Sequence, residues 1–164
     1  GLSIKYGRPL GINPKILKVC LERIEETEKK SISSIARAET FLITVAHGSN
    51  DPGVNLTTAK IPQTLCENMG FGGFEINFIG TNQPLLSESL EASIKMKFKR
   101  IIIFPFFLFN GVLTKRIAST VDDIQKQHPE VELLKAQHLN HHELIIDVFM
   151  KRASEAPFKL QDTN

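Results

Sequence analysis

Apolar residues along this chain gather into four short runs, separated by longer stretches where apolar positions recur every three or four residues. The runs at 41–46, 74–79, 100–106 and 131–136 predict β-strands. The third lies inside the apolar stretch 100–109, and its centre, Ile101-Ile102-Ile103-Phe104, has no polar break. An unbroken run of that length is expected of a parallel strand buried on both faces. Between the strands the period changes to that of a helix. Residues 57–69 read as helical, but Pro62 falls among them, so the spacing predicts a start near Ile61 with Pro62 in the first turn. Gly70, Gly72 and Gly73 punctuate its end. Gln83-Pro84 opens a helix carrying Leu86, Leu90 and Ile94, and 113–127 carries Ile117, Val121 and Ile124 in register until His128-Pro129. A last helix is expected at 143–153. Strands alternating with helices of this length predict an α/β fold: a four-stranded parallel sheet, flanking helices in three layers as in flavodoxin-like proteins, and right-handed crossovers.

The first 40 residues stand outside this alternation. Asn13-Pro14 starts a helix that runs to about Lys30, followed by a polar, Ser-rich linker. The helix has a twin. Displaced by 129 positions without gaps, Leu10 meets Leu139, Ile16 meets Ile145, Leu17 meets Ile146, Val19 meets Val148, Leu21 meets Met150 and Arg23 meets Arg152. Two amphipathic helices always share an apolar stripe, but the matching Leu ahead of the helix and Arg near its end favour an internal repeat. The expected organisation is a terminal helix of a preceding repeat at 1–30, a linker at 31–40, an α/β lobe at 41–155 and a tail at 156–164. On that reading the chain is a piece of a longer two-lobed polypeptide. Its first helix is expected to pack away from the 41–155 core, or against a neighbouring chain.

Composition narrows the function. The chain has 164 residues, 41% hydrophobic and 23% charged, with net charge +2. That charge is too small to draw a nucleic acid or a membrane surface, and no apolar run reaches the roughly 18 residues of a span. Cys20 and Cys66 both fall in helical segments and are expected to be buried thiols of a cytoplasmic protein. The Asn55-Leu56-Thr57 triplet has the form of a glycosylation acceptor and, with no secretory signal in view, reads as chance.

Candidate chemistry concentrates at Ala46-His47-Gly48-Ser49-Asn50-Asp51, where the first strand ends. Ligands of open α/β sheets bind beyond the carboxyl ends of the strands, so His47 is placed to face a crevice. The competing reading is a helix start, since Ser49, Asn50 and Asp51 all make good N-caps. Ser49, Asn55 and Lys60 are placed to line the same crevice. Lys115-Arg116, after the third-strand loop, suit a polyanionic ligand. Phe104, Phe106, Phe107 and Phe109 read mainly as core, with those near the loop able to stack on a flat ligand. His138, His141 and His142 could bind metal, but they align with Pro9, Ile12 and Asn13 in the first copy, which argues for an ordinary loop. A nucleotide-binding module is disfavoured, because no Gly-x-x-x-x-Gly-Lys or Gly-x-Gly-x-x-Gly loop is present.

Several of these segments together resemble one family. Val45 to Asn55 is similar to the first-strand motif of the CbiX/SirB sirohydrochlorin chelatases, His-Gly-Ser-x-Asp-Pro-x-x-Asn. Phe104 to Gly111 resembles their third strand and following loop, and His128-Pro129, the Val131 strand and the Leu139 helix start match as well. The resemblance implies a class II chelatase lobe that faces a second lobe, in the same chain or in a dimer partner, across a cleft. The implied reaction is insertion of Co²⁺ or Fe²⁺ into sirohydrochlorin with release of two protons, in cobalamin or sirohaem synthesis. It implies no organic cofactor and no ATP. His47 is then the expected metal ligand and proton acceptor, since neutral imidazole suits both metals and is a competent base near neutral pH. Ser49, Asn55, Gly111, Lys115 and Arg116 are the expected substrate-binding residues. His47 should face a cleft beside Gly111 and Lys115, with the first and third strands adjacent.

The chain also departs from the family pattern. Gly111-Val112-Leu113-Thr114 stands where the catalytic lobe carries Gly-Gly-His, and Gly80, Thr81 and Asn82 stand where an acidic residue is expected. The form Phe-Leu-Phe-x-Gly-x-Leu instead resembles the C-terminal lobe of long members. The alternative to a catalytic lobe is therefore a degenerate one that binds tetrapyrrole or supports a catalytic N-terminal lobe.

Overall fold

The computed structural model describes residues 13–80, 84–108 and 111–139. Four parallel strands form one sheet in the order β2-β1-β3-β4: β1 Thr40–His47, β2 Gly73–Ile79, β3 Arg100–Pro105 and β4 Glu132–Lys135. The first and third strands are adjacent, as expected, with Thr40 opposite Arg100 and Val45 opposite Pro105. Side chains of β1 and β3 alternate between two cores. Leu42, Ala46, Ile102 and Phe104 enter one, while Phe41, Ile43, Val45, Ile101 and Ile103 enter the other. Both strands are thus buried on both sides, which is why their sequences are almost wholly apolar between Phe41 and Ala46 and between Ile101 and Phe104.

The second core is closed by α3 (Leu86–Lys95) and α4 (Gly111–Gln127) through Leu90, Leu113, Ile117, Val121 and Ile124. The first is closed by α1 (Pro14–Lys30) and α2 (Pro52–Met69). The three-layer α/β architecture is therefore the one expected. The last helix expected at 143–153, together with His141 and His142, lies outside the described residues.

Two expectations are corrected. α1 does not pack away from the lobe. Its stripe Ile16, Val19, Cys20 and Ile24 is fully buried in the core that holds Leu42, Ile102, Phe104, Ala136 and Leu139. The sheet face is too wide for α2 alone, and the connection through the short 3-10 turn Arg37–Glu39 lets α1 fold back over it. Second, α2 begins at Pro52, far before Ile61. Pro52 occupies the first helical position and the Asp51 carboxylate caps it, accepting from the Gly53 N–H at 2.8 Å. Pro62 then sits inside the helix. It forfeits one main-chain bond, but it is buried beside Ile61 and Leu65, so packing outweighs the local penalty.

Below the sheet, at the strands' amino ends, Arg100 is buried and joins four partners. It donates to the Glu132 carboxylate at 2.8 Å, the Ser31 hydroxyl at 3.0 Å, and the main-chain oxygens of Ser33 at 2.9 Å and Ile35 at 3.4 Å. The Ser31 hydroxyl in turn donates to Glu132. The Ser-rich linker is thereby tied to β3 and β4.

Two stability predictions arise here. The Thr44 hydroxyl, at the centre of β1, is buried and has no hydrogen-bond partner among the described residues. An unsatisfied buried hydroxyl costs about 1–3 kcal/mol, so Thr44→Val is expected to raise stability by about 1 kcal/mol, read as a higher urea midpoint. A lower midpoint would mean that the hydroxyl has a partner. The second concerns His128, which lies between Glu130 at 3.0 Å and Glu91 at 2.9 Å. The bond to Glu130 does most to raise its pKa above the ordinary histidine value; burial opposes it, and the bond to Glu91 and the two carboxylate charges add to the rise. A raised folded pKa gives stability that is complete below about pH 6.5 and is lost as pH rises through the folded value. Urea midpoints measured across that window should fall less steeply with pH in His128→Gln than in the wild type.

Candidate active site

β1 carries His47 to the carboxyl edge of the sheet as its last residue, opposite Ile79 of β2. The residues before it are buried, whereas His47 is exposed. Its ring lies 5.6 Å from that of Phe107 at a tilt of 54°. Phe107 follows β3, and its other neighbour is His138, beyond β4, at 6.4 Å. The strand order β1-β3-β4 thus brings one imidazole from the end of β1 and another from beyond β4 to the ring of Phe107.

The loop after His47 is tightly fastened. Gly48 N–H donates to the Ile79 oxygen at 2.9 Å. Ser49 N–H donates to Asn55 Oδ1, and Asn55 Nδ2 donates back to the Ser49 oxygen, each at 2.8 Å. The Ser49 hydroxyl accepts from Asp51 N–H at 3.1 Å. Ser49 and Asn55, expected to contact substrate, are thus occupied in shaping the loop. Asp51 is the helix cap of the competing reading, so the motif is both a helix start and the seat of an exposed imidazole.

Gly111, Lys115 and Arg116 stand on the first turns of α4, at the same end of the sheet, with both cations exposed. Lys60 is exposed on α2. Phe104 and Phe106 belong to the core, as expected, and Phe109 lies outside the described residues. Phe107 is buried in the core on the α4 side while its ring meets that of His47.

Sequence reasoning missed an apolar rim around this edge. Val54 and Leu56 at the start of α2, Leu85 ahead of α3 and Val112 at the start of α4 are all exposed, Val112 by 70%. Each follows the carboxyl end of a strand. The readable signal was an apolar residue in a first helical turn but off the buried stripe. The two thiols behave as expected: Cys20 and Cys66 are free and buried, and desolvation pushes both upward in pKa. Among the described residues no three His, Cys, Asp or Glu side chains gather as a metal cluster. No described helix is long and apolar enough to cross a membrane.

Comparison with known proteins places this lobe. The sirohydrochlorin cobaltochelatase of Priestia megaterium is 31% identical over 154 residues, 94% of this chain and 50% of that protein. The sirohydrochlorin ferrochelatase of the same organism is 25% identical over 142 residues, 87% of this chain and 51% of that protein. The chain thus spans about half the length of these curated relatives. Among solved structures, SirB from Bacillus subtilis with Fe³⁺ superposes with a TM-score of 0.67 at 21% identity, over 92% of this chain and 56% of that one. The SirB of subspecies spizizenii in complex with cobalt gives 0.64 at 21% identity, over 92% and 53%. At such identities these two likenesses establish the fold alone. The CbiX family model, however, matches residues 41–156, the whole run from β1 through the last strand and beyond, and the chain belongs to the CbiX family.

Proposed function

We propose that this chain is a lobe of a sirohydrochlorin chelatase, inserting Co²⁺ or Fe²⁺ into the macrocycle and releasing two pyrrole protons. The observation that carries this reading is the exposed imidazole of His47 at the carboxyl edge of β1, in a lobe of this family. Neutral imidazole is a good ligand for both metals and accepts a proton near neutral pH. His47 is therefore assigned as metal ligand and proton acceptor. The remaining donors come from the macrocycle's own nitrogens and from a second lobe, in the same polypeptide or in a partner, because catalytic metal sites commonly use about three protein ligands.

The surroundings support a flat, polyanionic ligand. Val54, Leu56, Leu85 and Val112 offer apolar contact to a macrocycle, and Lys115 and Arg116 suit its carboxylates. Ser49, Asn55 and Gly111 shape the rim. The metal is the substrate, and no organic cofactor is required. The sequence match between the helix at 14–30 and residues 143–153 supports reading 41–155 as the C-terminal lobe of a duplicated protein. Two buried free thiols accord with the cytoplasm.

The test is insertion itself: Co²⁺ and Fe²⁺ offered separately to the full-length protein with sirohydrochlorin, followed by the absorbance change of the macrocycle. A rate above the uncatalysed one with either ion supports the reading; none with either defeats it.

A further inference from the structure

We propose that Asn55 is a positioning residue that sets the direction of the His47 imidazole through the Ser49 peptide. The inference rests on the reading of His47 as ligand and base, and it departs from the substrate-contact role expected for Asn55. The carboxamide engages both sides of one main-chain unit. Oδ1 accepts from Ser49 N–H and Nδ2 donates to the Ser49 oxygen, both at 2.8 Å. Asn55 itself is held in the first turns of α2, where Pro52 and the Asp51 cap set the start and Ile61 and Leu65 anchor the helix in the core. On the other flank, Gly48 N–H is tied to the Ile79 oxygen of β2 at 2.9 Å. The loop after His47 is therefore pinned to two rigid elements.

His47 needs such a device. It is exposed, and the aromatic ring beside it, Phe107, is a face to lean on rather than a hydrogen-bond partner. Backbone direction at the strand end then decides where the imidazole points. Small misplacements of a reacting group are costly, on the order of 10²-fold for about 1 Å. An amide is required because one side chain must donate and accept at once. Aspartate has the same shape but turns the donor into an acceptor facing the Ser49 oxygen.

The experiment compares wild type, His47→Ala, Asn55→Ala, Asn55→Asp and the double variant His47→Ala/Asn55→Ala of the full-length protein. Rates of Co²⁺ insertion are measured alongside the NMR signal of the His47 ring, assigned by its loss in His47→Ala. Both Asn55 variants are expected to lower kcat about 10–100-fold, as supporting partners of metal ligands do, with KM for the macrocycle little changed. The His47 ring signal should shift or broaden in both, while that of His128 stays in place. The double variant should be no slower than His47→Ala, because Asn55 acts through the imidazole. Additive losses, or an unmoved His47 signal in Asn55→Asp, would overturn the proposal. Should His47→Ala itself retain full activity, the catalytic reading of His47 is what fails, and the ring signal alone then decides whether Asn55 positions it.

Discussion

Replacing His47 with alanine is expected to slow Co²⁺ and Fe²⁺ insertion into sirohydrochlorin by about 10²- to 10⁴-fold, the usual contribution of a positioned proton acceptor. The fold should be unaffected. His47 ends β1 on the exposed edge, and the buried residues of that strand, Phe41 to Ala46, carry its packing. The loop bonds from Gly48 and Ser49 use main-chain atoms, which alanine leaves in place. The thermal midpoint of His47→Ala should therefore match the wild type while the rate collapses. An unchanged rate would assign the metal and its base to residues other than His47 and leave this imidazole in a supporting role. Loss of rate accompanied by loss of fold would point instead to a structural role for the ring against Phe107.

The second large effect is expected at the opposite end of the sheet. Arg100→Ala should destabilise the protein by about 3–5 kcal/mol, the cost of breaking a buried ion pair from one side. Glu132 would keep its charge without the guanidinium, and the Ser33 and Ile35 oxygens would lose their donor. Replacing both partners with apolar residues, as in Arg100→Met with Glu132→Leu, should recover much of the loss. The same pair sets an acid limit. Burial alone would raise the Glu132 pKa, but the Ser31, Ser33 and Arg100 contacts together hold it below the usual carboxylate range. A lowered folded pKa gives stability that is complete above about pH 4.3 and lost as pH falls through the folded value. Urea midpoints for the three proteins at neutral and acid pH decide the matter. A loss under about 1 kcal/mol in Arg100→Ala would show that the cluster is worth no more than a surface pair.

The strands were readable because burial on two faces leaves 41–46 apolar except for Thr44 and 101–104 wholly apolar. The start of α2 was not. Pro62 is a strong local signal against a helix, and only its burial beside Ile61 and Leu65 overrules it. The docking of α1 was unreadable for another reason. The stripe Ile16, Val19, Cys20 and Ile24 announces that the helix is covered, but a stripe does not name its cover. At the site, His47 was visible from its place after an apolar run. The direction of the polar residues was not, since Ser49 and Asn55 are equally polar whether they face a ligand or each other. Phe107 was hidden among four phenylalanines, because composition cannot say which of them meets a histidine.

The seating of α1 has a consequence for how the protein is made. A ribosome releases this helix before β1 to β4, yet the surface that receives it includes Ala136 and Leu139 from beyond β4. A segment made ahead of the sheet is thus able to reach its final place only after β4. Until β3 and β4 have been synthesised, Ile16, Val19 and Ile24 have only part of their native cover. Contacts that span so much of the chain slow folding, and an apolar helix waiting in solution is an invitation to wrong partners. Nascent chains halted before residue 131 should therefore be held by chaperones through this helix, and those halted well past residue 139, with that residue clear of the exit tunnel, should be released.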